Sequence, residues 1–298
     1  MQMEYLCLED RTPDTQYRDL LRLILDRGER QEVNNQAVPC TTFFKPLDLR
    51  FDLRNGAPII TERKIGFWRK AIGEIFAMIN GAHTVEEFKA YGCDWWEQWG
   101  TKEVCDTLGL PEGDFGPGSY GVAFHNFPTP GLPNGFNQFA ALVQGLREKP
   151  WSRTNMVSPW VPYYASEFGD RKVFIAPCHG WVTCYVYGDC LDTCVEQRSC
   201  DVTIGLPANL AQYTALSLAL AQVTGLKPRY YVHAIKNAHI YDDQMEGVWK
   251  MLAREPRRLP TLQIIDPEIK DLFAFRAEHF EITDYDPHPP IGGIPVAF

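Results

Sequence analysis

The stretch FIAPCHGW, Phe174 to Trp181, sets a cysteine between a proline and a histidine at the end of an apolar run. A thiol attacks only as the thiolate, so Cys178 has chemistry only where positive charge or hydrogen-bond donors stand near it in a cleft. Residue types alone leave two readings open: a nucleophile, or one buried cysteine among the nine of the chain. Twenty residues on, QRSCDVTIGLPANLAQY supplies Arg198, Ser199, Asp201 and Asn209 around a strand-to-helix junction. A guanidinium can hold an anion bidentately. The amide of Asn209 offers one acceptor and two donors, a pattern suited to an amide-like base edge. An anion clamp and a base reader beside a thiol point to an enzyme that modifies a nucleotide. Glu74 is a further candidate, because a carboxylate within the mostly apolar FWRKAIGEIFAMINGA is costly to bury unless it is hydrogen-bonded. An exposed helix charge is the alternative there.

These side chains need elements to hold them. DTQYRDLLRLILDRGER carries Leu20, Leu21, Ile24 and Leu25 at helical spacing, with Asp14 as cap candidate and Gly28 as stop. TTFFKPLDLRFDLRNGAPIITERK reads as strand with a turn at Arg54-Asn55-Gly56, and FWRKAIGEIFAMINGA as helix. The Gly- and Pro-rich run from Pro111 to Pro133 reads as loop, and FNQFAALVQGLREKP as helix. NMVSPWVP, RKVFIAP, GWVTCYVYG and CVEQRSCDVTIGL give strand signals, which would put Cys178 at the end of a strand. PANLAQYTALSLALAQVTG predicts the longest helix, with Leu210, Tyr213, Leu216, Leu220 and Val223 on one face and Gly225 as its stop. RYYVHAI and TLQIID read as strands before a Pro- and Gly-rich tail. No repeat or linker divides the chain, so one α+β domain over residues 1–298 is expected.

Composition narrows the function further. A net charge of −9 argues against a general nucleic-acid surface, so an anionic ligand must meet a local arginine pocket. No apolar run is long enough for a membrane span and the N-terminus is acidic, which predicts a cytoplasmic protein. Cys184, Cys190, Cys194 and Cys200 are close in sequence, yet CYVYGDCLDTCVEQRSC alternates like two strands around YGDC, so no metal is expected. GPGSYG fits G-x-G-x-x-G only formally, lacking an apolar strand before it. His83, His125, His233 and His279 read as structural groups.

APCH, QRSCDVTIGLP-x-N, HIYDD, REPRRLP, FEI-x-x-YDPHP and the terminal PVAF, in this order over Tyr17 to Phe298, resemble the thymidylate synthase family. The resemblance implies a large twisted mixed β-sheet with packed helices and a homodimer joined sheet to sheet. It also implies folate-dependent one-carbon transfer to carbon 5 of a pyrimidine 5′-nucleotide, with 5,10-methylenetetrahydrofolate as co-substrate and no metal. In that likeness Cys178 attacks carbon 6, Glu74 orders water near the pyrimidine carbonyl, and Tyr120 belongs to a tyrosine-and-water network that removes the carbon 5 proton. Arg198 and Ser199 match phosphate contacts, Asn209 the residue that tells uracil from cytosine, and His239 and Tyr241 the contacts to the sugar hydroxyl. Arg153 matches an arginine donated across the dimer. Trp96, Trp99, Asp201, Gly205 and the tail with Ala297 match the folate side. His179 supports the cysteine segment rather than acting as a base.

Three positions depart from the family pattern. No arginine occurs from Val33 to Thr42, where the family carries a phosphate-binding one; Thr154 follows Arg153 where a second arginine is usual; and Ala208 replaces an aromatic before Asn209. Each lost charge-assisted partner removes roughly 1.5–3 kcal/mol of phosphate binding unless replaced, and Arg63, Lys64 and Arg69 are the candidate replacements. The departures favour a divergent branch in which water captures the transferred methylene, giving 5-hydroxymethyl-dUMP. Methylation to dTMP, action on a cytidylate, and a non-catalytic nucleotide-binding relative stay open as alternatives.

Overall fold

The computed structural model describes residues 3–32 and 38–296. Ala297 and residues 33–37 of the arginine-free loop therefore lie outside the described residues. From the N-terminus come α1 (Gln16–Arg27), β1 (Glu29–Gln31), β2 (Cys40–Asp52), α2 (Trp68–Ile79), α3 (Val85–Ala90), α4 (Lys102–Thr107) and α5 (Tyr120–His125). The pair β3 (Phe127–Thr129) and β4 (Leu132–Phe136), α6 (Gln138–Glu148), β5 (Met156–Val157), α7 (Pro162–Ala165), β6 (His179–Tyr187), β7 (Cys190–Gln197) and β8 (Cys200–Asp201) follow. The chain continues through α8 (Gly205–Thr224), β9 (Lys227–Tyr241), α9 (Met245–Leu252), β10 (Thr261–Ile264) and β11 (Phe280–Thr283).

One large sheet runs in the order β1-β2-β9-β7-β6-β5, with β8 also paired to β9. It is mixed: β7 and β8 pair with β9 in parallel, and the other neighbours are antiparallel. Parallel neighbours need a long crossover, and α8 supplies it. This topology builds the site. Because β6 and β7 are antiparallel, the first residue of β6 lies opposite the last of β7, His179 against Gln197, and Arg198 N donates to Cys178 O at 2.8 Å. The parallel pairing of β8 with β9 then sets Asp201 beside His239. Gly180 sits at a register break in β6 with φ +102°, where a Cβ would approach the Phe124 ring to 2.9 Å, so the bulge that follows Cys178 requires glycine.

Most expected elements stand where periodicity places them, including α1 with Gly28 at its end and the hairpin of β6 and β7. Asp14 Oδ1 accepts from Gln16 N at 3.0 Å at the start of α1. Three expectations are corrected. RKVFIAP forms no strand; Cys178 precedes β6 instead of ending a strand, and Val173 and Phe174 pack into the core instead of joining a ladder. The Gly- and Pro-rich run, expected as loop, holds a helical turn, α5, whose Ala123 and Phe124 are fully buried, and then β3 and the start of β4, which pair antiparallel. And α8 has no single apolar face: it is buried from Leu206 to Val223, as a helix enclosed on all sides must be.

That enclosure is chemically informative, since buried polar groups must find partners. Thr214 and Ser217 donate back to the carbonyls of Leu210 and Tyr213, each at 2.7 Å, and Gln222 donates to the carbonyls of Asp266 and Ile269. Gln212 turns instead toward Glu74 of α2, and Asn209 bonds to Gln212.

Candidate active site

Cys178 is half-buried, and its Sγ lies 3.8 Å from Arg198 Nη2. Arg198 is itself held: Nε donates to Pro177 O at 2.8 Å, Nη2 to Ala176 O at 3.1 Å, and the guanidinium stands 5.3 Å from the centre of the Trp160 ring. Burial pushes the Cys178 thiol up, and the neighbouring guanidinium opposes it. The backbone around the thiol is fixed from the other side by Tyr120, whose hydroxyl oxygen accepts from Cys178 N at 2.7 Å and His179 N at 3.3 Å. Burial, with Cys178 and Glu74 both near, holds the phenol well above its ordinary value, so Tyr120 is neutral. His179 stacks on Tyr120 at 4.9 Å, meets Tyr213 Oη through Nδ1 at 2.6 Å, and is pushed down to about 3 by burial. A neutral imidazole so enclosed is a support, not a base.

The second cluster centres on Glu74, which is 5% exposed. Its Oε1 accepts from Trp95 Nε1 at 2.7 Å and Trp96 Nε1 at 2.5 Å, and its Oε2 accepts from Gln212 Nε2. Burial raises the carboxyl to about 7, against the pull of those three donors. Gly73 lets the indoles in, because a Cβ there would lie 2.1 Å from Tyr91 O, just before the segment that carries them. Gln212 Oε1 in turn accepts from Asn209 Nδ2 at 2.8 Å. Trp96 also belongs to an aromatic wall, 5.5 Å from Trp99, 5.3 Å from Phe115 and 6.1 Å from Phe174 between ring centres.

The third cluster joins the sheet end to the tail. Asp201 Oδ1 accepts from Thr203 N and Ile204 N, which orders the turn into α8 at Gly205, and Oδ2 accepts from Gln244 Nε2 at 2.9 Å. Gln244 Nε2 also donates to Pro295 O at 3.1 Å, tying the tail to the same carboxylate. Burial raises Asp201 and lowers His239, the latter to about 4; the His239 ring lies 5.1 Å from that of Tyr241, two residues along β9.

The structure thus brings Cys178, Arg198 and Tyr120 together, Glu74, Trp96 and Asn209 together, and Asp201, His239 and Tyr241 together. Ser199 anchors the turn, its carbonyl accepting from Gln197 Nε2 at 3.0 Å. Arg153 is exposed in the loop before β5 and joins none of these clusters within the chain. Sequence reasoning missed Trp95, Gln212 and Gln244. Gln212 is one of several polar side chains in α8, with Thr214, Ser217 and Gln222, so residue type alone did not single it out. Among the described residues no group of three His, Cys, Asp or Glu side chains is placed to hold a metal, and no helix is long and apolar enough to cross a membrane.

The thymidylate synthase family model matches residues 15–297. That match takes in all three clusters and runs nearly the length of the chain. The chain therefore belongs to the thymidylate synthase family, whose chemistry is folate-dependent one-carbon transfer to a pyrimidine nucleotide.

Proposed function

We propose that this chain is a divergent pyrimidine-nucleotide hydroxymethylase, converting dUMP to 5-hydroxymethyl-dUMP in the cytoplasm as a homodimer of single-domain protomers. The observation that carries the reading is the Cys178 thiol set 3.8 Å from a guanidinium and on a backbone clamped by Tyr120. In the reaction the Sγ–C6 bond forms while the C5–C6 pair moves toward the O4 carbonyl, which makes carbon 5 the nucleophile. Methylenetetrahydrofolate supplies the one-carbon unit at the methylene level. The Trp96–Trp99 wall suits a flat heteroaromatic ring, and the Asp201 carboxylate suits its N–H donors.

Because burial raises the thiol, the free site stores Cys178 protonated, and its proton must leave as the nucleotide binds. Tyr120 is a neutral phenol whose oxygen accepts two backbone N–H groups, so its own hydrogen is turned outward to hold a water for removal of the carbon 5 proton. Carbon 5 bonds to the folate methylene, and loss of the carbon 5 proton breaks the methylene–nitrogen bond and releases tetrahydrofolate. Water adds to the exocyclic methylene so formed, and the Cys178 thiolate departs from carbon 6 as the C5–C6 double bond is restored.

The outer face of the sheet supports the dimer. In β6, Val182 and Cys184 are buried whereas Trp181, Tyr185 and Tyr187 alternate to the other side, and Arg229 lies over both Tyr187 and Tyr230. A second copy on that face would also bring the exposed Arg153 to its neighbour's site. Mass spectrometry of products made from methylenetetrahydrofolate with dUMP, UMP, dCMP and CMP separately tests the reading. Hydroxymethyl-dUMP with tetrahydrofolate is expected; methylated product with dihydrofolate would make the chain a methylating synthase, and no product from any of the four would remove the enzyme reading.

A further inference from the structure

Gln212 has no exposed surface and makes two hydrogen bonds, one to Glu74 and one to Asn209. Their directions run one way through the network. Two indole N–H groups, which can only donate, point at Glu74 Oε1, and Gln212 Nε2 donates to Oε2. That leaves Gln212 Oε1 for Asn209, whose Nδ2 donates to it at 2.8 Å. An amide whose two ends are otherwise interchangeable is held in one orientation, with Oδ1 and the second Nδ2 hydrogen left for a ligand in a fixed order. Thr214, Ser217 and Gln222 of α8 bond instead to backbone carbonyls and pass no such direction on.

We propose that Gln212 is the positioning residue that sets base specificity, holding Asn209 in the orientation that pairs with the uracil edge, a role that rests on the pyrimidine-nucleotide reading above. Uracil presents an acceptor at O4 and a donor at N3, and cytosine presents the reverse at the same two positions. An amide free to rotate serves either edge, whereas a fixed one leaves two unpaired polar contacts against the wrong base. Selection thus lies in the helix core behind Asn209 as well as in Asn209 itself.

The test compares dUMP with dCMP in wild type, Gln212→Met and Gln212→Glu, by calorimetric Kd without folate and by kcat/KM with it. Methionine keeps the length and removes the polarity, so the dUMP preference should fall at least about tenfold. Glutamate keeps an acceptor toward Asn209, so it should preserve the preference while slowing turnover through a second carboxyl beside Glu74. Damage that is merely structural would lower both substrates together and leave the ratio unchanged. An unchanged ratio in Gln212→Met, or a lost one in folded Gln212→Glu, overturns the proposal and leaves the nucleotide reading intact. If Gln212→Met does not fold, Gln212→Glu decides alone, retained preference supporting the proposal and lost preference ending it. A wild type that binds neither nucleotide, or prefers dCMP, overturns both together.

Discussion

At the end proposed to read the base, Glu74, Trp95, Trp96, Gln212 and Asn209 close a network contributed by α2, α8 and the segment after α3, all inside one chain. At the anion end stands Arg198, with Nε and Nη2 already occupied by carbonyls and its face against Trp160. The first end is organised by the core before any ligand arrives, because a buried carboxylate without its donors would be too costly to keep. The second depends, on the proposed function, on what the ligand and Arg153 of a second copy bring to it. On the proposed function, preorganisation within one chain concentrates where the base would be read, and the proposed anion end is completed from outside the chain.

The largest expected effect falls where the two ends meet. Cys178→Ala should cut turnover by at least about ten thousandfold while leaving the melting temperature and dUMP binding nearly unchanged, since the side chain is small and only half-buried. Single-turnover assays together with calorimetry check both halves. Appreciable residual turnover would mean that the thiol is one more core cysteine.

Arg198→Lys probes the anion end. A lysine lacks the fork that bonds the carbonyls of Pro177 and Ala176 while facing Sγ, so kcat/KM should fall about a hundredfold, with KM rising and the reactivity of Cys178 toward iodoacetamide falling at a given pH. If KM alone moved and thiol reactivity stayed put, Arg198 would be a phosphate ligand only, and the two ends would be independent.

The uneven legibility of the sequence follows the same division. Helices α1, α2 and α6 could be read because each has a periodic apolar stripe. The helical turn α5 was hidden because GPGSYG carries loop signals, and its formation rests on burial of Phe124, a tertiary effect. RKVFIAP misled because an apolar run reads alike whether it pairs in a sheet or, as Phe174 does, packs against Phe115 and Trp96. Cys178, Arg198 and Glu74 could be found because residue type announces their chemistry. Trp95 and Gln212 could not be assigned roles, since a hydrogen bond to Glu74 across 21 or 138 residues leaves no trace in local spacing.

Glu74 itself makes a prediction about stability and pH. Its carboxyl is raised to about 7 in the folded chain from 4.5, so the folded state holds a proton that the unfolded state releases. The corresponding stability is full below about pH 4.5 and is lost as pH rises through about 7, an effect of about 3 kcal/mol. The buried imidazoles of His179, His233 and His239, lowered to about 3, 3 and 4, act in the opposite sense: their contribution is present above pH 6.5 and is lost as pH falls. Urea unfolding of wild type and Glu74→Gln from pH 5 to 8 separates them, because the difference between the two curves contains Glu74 and not the histidines. A difference that does not change with pH would show that Glu74 is ionised throughout.

The smallest effect refines the base-reading end by removing one of its donors. Trp95→Phe keeps the ring that stands 6.1 Å from Phe67 and deletes the N–H that meets Glu74 Oε1. Wild-type stability should fall by about 1 kcal/mol at pH 5. Since that N–H pulls the Glu74 carboxyl down, its removal moves the carboxyl further above about 7, and the loss of stability on raising the pH to 8 should become larger than in wild type. Arg198→Lys, remote from this network, should show no such steepening. Should both variants steepen alike, the two ends would share one electrostatic environment, and the contrast between a network preorganised within one chain and an anion end completed from outside it would give way to a single coupled site.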